Sequence, residues 1–133
     1  MPGSAGFPSS ARVRKRAEFQ RIQSGGRRVT TEHFVFVLAA TPEGMRGPRL
    51  GITASRKVGV AVVRNRAKRL CRVAFRSTPE LWPVGCDVVV IVRKSLGELG
   101  AAAVISEWRA VAAVLGRRAR DVASAAPARH KEP

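Results

Sequence analysis

The sequence has few of the residue types from which proteins build catalytic or metal sites. It contains two cysteines, two histidines, nine acidic residues and no tyrosine. Cys71 and Cys86 lie alone within apolar runs, which excludes a zinc finger and predicts buried free thiols in a reducing compartment. His33 and His130 are isolated, and no Ser/His/Asp set or close carboxylate pair stands out. We therefore expect no catalytic side chains in this chain.

Long apolar segments are also missing. No run of 18 apolar residues occurs, and the first residues lack the apolar centre of a signal peptide. These absences predict a cytoplasmic protein without a membrane span.

Negative charge is scarce, since 25 Lys and Arg against nine Asp and Glu give a net charge of +16. A field of this sign attracts phosphate polymers, and neutralising them releases counterions. Nucleic acid is therefore the favoured partner, and an anionic membrane surface is the competing one.

The positive charge is concentrated in residues 56–76, the basic segment, which contains no acidic residue. At about 100° per residue, Val63, Ala67, Leu70 and Ala74 form one apolar stripe. The other side carries Arg64, Asn65, Lys68, Arg69, Arg72 and Arg76, with Arg66 at its edge. An ordinary solvated helix face normally mixes charges of both signs. The segment instead predicts an amphipathic helix whose cationic face binds a polyanion.

Hydrophobic periodicity predicts three helices and at least three strands. The first helix ends at the Gly25-Gly26 pair, and the β-branched runs are bounded by turn residues. Gly59 allows a turn before the basic helix, which starts near Val60. The predicted elements are a helix over residues 16–24, strands over 34–40, 49–55 and 86–93, the basic helix, and a last helix over 100–116.

These elements predict a single domain over residues 12–116, an α/β sandwich of one small sheet with helices, and its charge predicts that it binds nucleic acid. Their order is helix, two or three strands, basic helix, strand, helix. Residues 1–11 and the partly basic residues 117–133 are predicted to be flexible tails. The strands on either side of the basic helix are predicted to be parallel neighbours, for which chain chirality favours a right-handed crossover.

Phe19 admits two interpretations. It shares a helix face with Ile22, which suits packing in the core. Its cationic neighbours Arg16 and Arg21 equally suit an aromatic platform on which a base stacks. The pattern alone leaves both open.

Residues 49–76, RLGITASRKVGVAVVRNRAKRLCRVAFR, resemble the signature of the protein subunit of bacterial ribonuclease P. The centre of the likeness is Arg64-Asn65-Arg66, placed after a Ser-Arg-Lys-Val-Gly turn. KRAEFQRI at 15–22, HFVFV at 33–37 and GCDVVVIVR at 85–93 also agree with the family. The resemblance covers about residues 13–115.

The resemblance implies a small basic subunit of an endoribonuclease that removes the 5′ leader of precursor tRNA. In this family the catalytic centre and most of the Mg²⁺ belong to the RNA subunit. It further implies a monomeric protein that pairs one-to-one with ribonuclease P RNA. It also implies that residues 12–116 form an RNA-binding domain with a small mixed central sheet flanked by helices. The family fold has a left-handed β-α-β crossover, contrary to the expectation from chain chirality.

The resemblance also implies two RNA-binding surfaces. A cleft between the first helix and the sheet would bind the single-stranded leader through Phe19, Arg16, Val35 and Val37. Gln23 and Val37 stand where many relatives carry aromatics, so fewer stacking faces are expected, each worth about 1–3 kcal/mol. The surface that docks on the RNA subunit would comprise Arg56, Lys57, Arg64, Asn65, Arg66, Lys68, Arg69 and Arg72, with Asn65 as a candidate metal ligand.

Two other classes of protein share the charge and size. A ribosomal or other structural RNA-binding protein without a role in cleavage is the first. A DNA-binding regulator that inserts the basic helix in a major groove is the second. The helix face is dense in Lys and Arg, with Asn65 as its only amide, and this suits phosphates better than base edges.

Overall fold

The computed structural model describes residues 12–13 and 15–130, with side chains as far as residue 124. The predicted tail over residues 1–11 therefore lies outside the described residues. Two short 3-10 turns, Arg56–Val58 and Pro79–Leu81, lie on either side of the basic helix. The helices and strands are α1 (Arg16–Gly25), β1 (Arg27–Thr30), β2 (Phe34–Ala40), β3 (Arg49–Ala54), α2 (Ala61–Ser77), β4 (Cys86–Val92), α3 (Ala101–Ala110) and α4 (Ala112–His130).

The strands form one mixed sheet in the order β1-β2-β4-β3. β2 pairs antiparallel with both β1 and β4, whereas β3 and β4 are parallel and are joined through α2. This confirms the predicted α/β architecture and the parallel pair; the handedness of the crossover stays a prediction. The prediction allowed two or three strands before the basic helix, and β1 is the additional one. Its sequence pattern is weak because only Val29 among its four residues is buried.

The main core lies between one face of the sheet and helices α2, α3 and α4. Trp108 of α3 stands edge-on to Phe36 of β2, with ring centroids 5.1 Å apart. The buried residues of α2 are Ala67, Cys71, Ala74 and Phe75. The apolar stripe was therefore predicted with a small rotation error, since Val63 and Leu70 are only partly buried.

The C-terminal part of the chain differs from the prediction. The predicted last helix is two helices separated at Val111, and residues 117–130 are helical instead of a flexible tail. Ala119 is completely buried and Val122 packs against the core, because α4 continues along β2. The segment was misjudged because its apolar residues are mostly alanines, which give a weak amphipathic signal.

Helix α1 covers part of the opposite face of the sheet. Its Ile22 is fully buried with Val37 and Val89 in a second, smaller apolar cluster. The adjacent pair Val35 and Ile91, which are partners in the β2–β4 register, is only partly buried. A strip of this sheet face, formed by Val35 and Ile91, is therefore left uncovered beside α1. We call it the open strip.

Two further predictions concern the environment of the chain. Cys71 and Cys86 are free thiols and both are buried, as predicted. Among the helices of the described residues, none has the length and apolarity needed to cross a bilayer.

Candidate nucleic-acid interface

A buried network of charges fixes α1 on the sheet. Arg49 of β3 donates to Asp87 of β4 through Nε at 3.2 Å and Nη2 at 2.7 Å, and to Glu18 of α1 at 3.0 Å. Arg21 of α1 donates to Asp87 at 3.3 Å, and Thr41 donates to the same carboxylate at 2.9 Å. The hydrogen bonds to Asp87 raise the pKa of Arg49, so its guanidinium stays charged although it is buried. The network sets where α1 crosses the sheet.

The Phe19 side chain reaches from α1 to β3. A Cβ atom added to Gly51 would lie 2.8 Å from Cε1 of Phe19, so the ring rests directly on the strand backbone. The ring is only partly buried. Gly51 is therefore required here because of this close approach of the ring.

A cavity of about 240 Å³ opens beside this ring. It brings the aromatic side chain together with three cations, one from the segment before α1 and two from α2. Its lining residues are Arg12, Val13, Phe19, Leu50, Gly51, Ile52, Lys68 and Arg72. We call it the Phe19 pocket. A ring beside several cations is the combination that single-stranded nucleic acid recognises, because bases stack on the ring and phosphates pair with the cations.

The other residues predicted for the leader cleft differ in exposure. Arg16 is exposed at the start of α1, and Val35 is partly buried in the open strip. Val37 is completely buried beneath α1. The prediction that Val37 contacts the leader is therefore wrong for this conformation, because Ile22 packs in the same cluster and no surface of Val37 remains.

The exposed end of the basic segment is shaped by a glycine turn. Ser55 accepts a hydrogen bond from the Lys57 amide at 3.3 Å, and Gly59 adopts φ of +150°, a conformation that side chains disfavour. Arg56 and Lys57 are exposed in this turn. The turn thus presents two cations next to the first residues of α2.

The Arg64-Asn65-Arg66 motif places its three side chains differently. Arg64 donates from Nε to the carbonyl of Gly59 at 3.1 Å, within the turn that precedes α2. Asn65 is exposed. Arg66 donates from Nη1 to the carbonyl of Gly97 at 3.1 Å and from Nη2 to the carbonyl of Leu99. Arg66 is therefore bound to the loop before α3.

The eight residues predicted for docking on the RNA subunit fall into three sets. Lys68 and Arg72 line the Phe19 pocket, and Arg66 bonds to the loop before α3. The remaining five, which we call the docking set, are Arg56, Lys57, Arg64, Asn65 and Arg69. The helical spacing of Lys68 and Arg72 shows that they share a face, but only the packing of α2 beside β3 shows that this face borders the pocket.

The predicted site did not include Arg12 or the Arg49–Asp87 pair. Arg12 forms a bridge with Leu50 of β3, and Val13 donates to the carbonyl of Leu50 at 3.0 Å, so this segment lies along the edge of the sheet. Arg49 sat at the start of a predicted strand and Asp87 near the start of another. Their facing positions follow only from the β3–β4 register, which pairs these two residues.

Metal ligands are sparse in this region. Within residues 12–13 and 15–130, no group of three or more His, Cys, Asp or Glu side chains could hold a metal ion. Asn65 can offer one amide oxygen from the exposed face of α2.

The chain is similar to known proteins over most of its length. A family model described as Ribonuclease P matches residues 7–116. The ribonuclease P protein component of Desulfovibrio desulfuricans is 48% identical over 93 residues, 69% of this chain and 71% of that protein. Its counterpart in a Geobacter species is 36% identical over 114 residues, 86% of this chain and 93% of that protein.

Solved structures show the same fold. The RNase P protein from Thermotoga maritima superposes with a TM-score of 0.66 at 34% identity, covering 80% of this chain and 96% of that one. The Staphylococcus aureus RNase P protein gives a TM-score of 0.68 at 30% identity, covering 78% and 94%. The family model spans well over half of the sequence, and relatives and structures agree with it. The chain belongs to the ribonuclease P protein family.

Proposed function

We propose that this protein binds ribonuclease P RNA and the 5′ leader of precursor tRNA, and so assists removal of the leader to give the mature 5′ end. The observation that carries the proposal is the Phe19 pocket, where a partly exposed ring meets Arg12, Lys68 and Arg72. The family membership supplies the enzyme, since a ribonuclease P protein is a component of an endoribonuclease that processes tRNA.

The leader is the part of the substrate that suits the pocket. A single strand can turn one base onto the Phe19 ring while its phosphates lie near Lys68 and Arg72. The partly buried strip at Val35 and Ile91 extends the same sheet face beyond α1. Charge and one aromatic ring recognise no particular base, which fits leaders of many sequences.

The docking set is the part of the protein that suits the RNA subunit. Arg56, Lys57, Asn65 and Arg69 are exposed, and Arg64 uses only Nε within the described residues. These side chains lie at the turn and along α2, and their Lys and Arg members can neutralise phosphates of a folded RNA. Lys68 and Arg72 are assigned to the leader instead, because the pocket holds them beside Phe19.

The chemistry of cleavage is assigned to the RNA. Phosphodiester hydrolysis uses a metal-bound hydroxide and neutralisation of the phosphate, for which Mg²⁺ bound mainly by the RNA is suited. The described residues offer no carboxylate cluster for it, and Asn65 could add one oxygen ligand. This protein would act as a monomer with one RNA subunit in the cytoplasm, and its positive charge would reduce repulsion between ribozyme and substrate.

Reconstitution at low Mg²⁺ tests the proposal. Cleavage of precursor tRNA by ribonuclease P RNA should be stimulated by this protein, and Lys68→Ala with Arg72→Ala should weaken binding of precursor tRNA but not of mature tRNA. The matched control is Arg109→Ala. It removes an exposed cation of α3 that pairs with Glu80. Absence of any stimulation would favour the structural RNA-binding alternative, and equal losses on both tRNAs would refute the leader site.

A further inference from the structure

We infer that Arg66 is a positioning residue that holds the first turns of α2 in place, and that it does not itself contact the RNA. The inference rests on the proposed docking role of α2. It separates Arg66 from Arg64 and Asn65, its neighbours in the motif.

The first argument is that the Arg66 guanidinium is already occupied. Both terminal nitrogens donate to backbone carbonyls, Nη1 to Gly97 and Nη2 to Leu99. The planar fork of a guanidinium suits two acceptors at once, so these bonds use the Nη1–Nη2 edge, one of the two edges with which an arginine grips a phosphate. An RNA contact through this edge would require both bonds to break.

The second argument is that the loop accepting these bonds is ordered by its own contacts. Leu96 is buried in the main core, and Gly97 adopts a φ of +59°. The Gly97 amide donates to Ser95 Oγ at 3.1 Å, and the Leu99 amide donates to the carbonyl of Leu96 at 3.0 Å. The two carbonyls that face Arg66 therefore belong to a compact turn, which provides a firm attachment point.

The third argument is that the first turns of α2 bury few side chains, since Val63 is only partly buried against the core. The first buried residue in α2 is Ala67, and Val62 is 71% exposed. The docking residues Arg64 and Asn65 lie in this N-terminal part of the helix. The two hydrogen bonds from the Arg66 guanidinium connect this part of α2 to the turn before α3. The orientation of the docking surface therefore depends on these bonds.

The consequence is that Arg66 acts on RNA affinity through the conformation of its neighbours. If loss of the fork leaves about a tenth of the molecules with α2 correctly placed, the apparent affinity falls about tenfold. The number of phosphates contacted in the bound state does not change. The dependence of the binding constant on salt concentration, which counts those phosphates, then stays the same.

The experiment measures the affinity of ribonuclease P RNA for the full-length protein over a series of KCl concentrations. We expect Arg66→Ala and Arg66→Lys to weaken binding to a similar extent, because an ammonium cannot replace the planar fork, and to leave the slope of log K against log [KCl] unchanged. Hydrogen exchange at the amides of residues 97–100 should become faster in both variants. The control Arg69→Ala should reduce the magnitude of the slope by about 1.

Two results would overturn the inference. One is a slope reduced by about 1 in Arg66→Ala together with wild-type affinity in Arg66→Lys, which indicates a phosphate contact. The other is unchanged RNA affinity in both variants despite faster exchange in the loop, which indicates a purely structural bond. Failure of the wild-type protein to bind the RNA would instead contradict the proposed function, so the two failures are distinguishable.

Discussion

Nη2 of Arg49 lies 2.7 Å from Oδ2 of Asp87, and both side chains are buried between the sheet and α1. The two residues are partners in the parallel β3–β4 register. Glu18 and Arg21 bring α1 to the same pair. The ion pair therefore connects the edge strand β3 and the central strand β4 with the helix that carries Phe19.

Removing the carboxylate should strongly destabilise the protein. In Asp87→Ala the buried guanidinium of Arg49 loses its principal partner and keeps only Glu18, and breaking a buried ion pair in this way costs about 3–5 kcal/mol. Urea unfolding followed by circular dichroism would measure the loss. Glu80→Ala is the control, because its pair with Arg109 is more than half exposed and should contribute at most about 1 kcal/mol. Similar small losses in both variants would contradict the role given to Asp87.

A methyl group at Gly51 should act on leader binding through Phe19. The added Cβ would lie 2.8 Å from Cε1 of the ring, so the ring must move off the strand. Gly51→Ala is therefore expected to weaken precursor tRNA binding by about 1–3 kcal/mol, as for loss of one stacked base, and to leave mature tRNA unaffected. Fluorescence anisotropy with leaders of increasing length would measure it.

The double variant Phe19→Ala/Gly51→Ala provides the control for this mechanism. Without the Phe19 ring, the nearest remaining neighbour of the methyl group is Cβ of Val13 at 3.0 Å, and no ring is displaced. The double variant should therefore bind little more weakly than Phe19→Ala alone. Additive losses would show that Gly51 acts on binding by some other route.

The sequence predicted those parts of the fold that have a strong local pattern. β2 and β4 are runs of β-branched and aromatic residues, and α2 has a 3.6-residue period with charge on one side, so both kinds of element were identified. β1 was left open and the helix over residues 117–130 was missed, because one has a single buried residue and the other packs through alanine. Tertiary contacts with β2 stabilise both, and these contacts leave little trace in a local pattern.

The candidate site was predicted by residue type more accurately than by position. Phe19 and the cations of α2 were identified and Arg12 was not, and the grouping of these residues depends on how α2 and α1 pack on the sheet. Lys68 and Arg72 therefore belong to the Phe19 pocket. Val37 is covered by α1, and Arg66 bonds to a loop 31 residues away. No local pattern encodes contacts at that separation.

Glu107 should stabilise the protein in a pH-dependent way. Burial alone would raise the pKa of this carboxyl, but the Thr31 hydroxyl at 2.6 Å and the His33 amide and ring nitrogen at 2.8 Å lower it overall. A carboxyl whose pKa is lower in the folded state stabilises the protein above its unfolded pKa, and this contribution is lost as the pH falls. Glu107→Gln should therefore lower the free energy of unfolding at pH 7 and less so below about pH 4.

Urea unfolding between pH 3 and pH 7 would test this dependence. The control Glu98→Gln alters an exposed carboxyl on the loop before α3 and should change the free energy of unfolding little at any pH. An equal loss for Glu107→Gln at pH 7 and at pH 3.5 would mean that the ionised form has no special role.

The two buried thiols should make the protein less stable in alkali. Burial raises the pKa of Cys71 and of Cys86 from 9.0 to about 12. A thiol whose pKa is higher in the folded state contributes its full stability below pH 9 and loses it as the pH rises from there towards 12. Between pH 8 and pH 10 each thiol should lower the free energy of unfolding by about 1 kcal/mol.

The absence of tyrosine removes one group that would otherwise titrate in the same range. The Cys71→Ala/Cys86→Ala variant identifies the contribution of the thiols. It should be less stable than the wild type at pH 8, because Ala leaves space where each buried sulfur packs, yet its stability should fall less between pH 8 and pH 10. Urea unfolding of both proteins at the two pH values gives the comparison, and an identical decline in both would show that the thiols ionise as readily in the folded protein as in the unfolded chain.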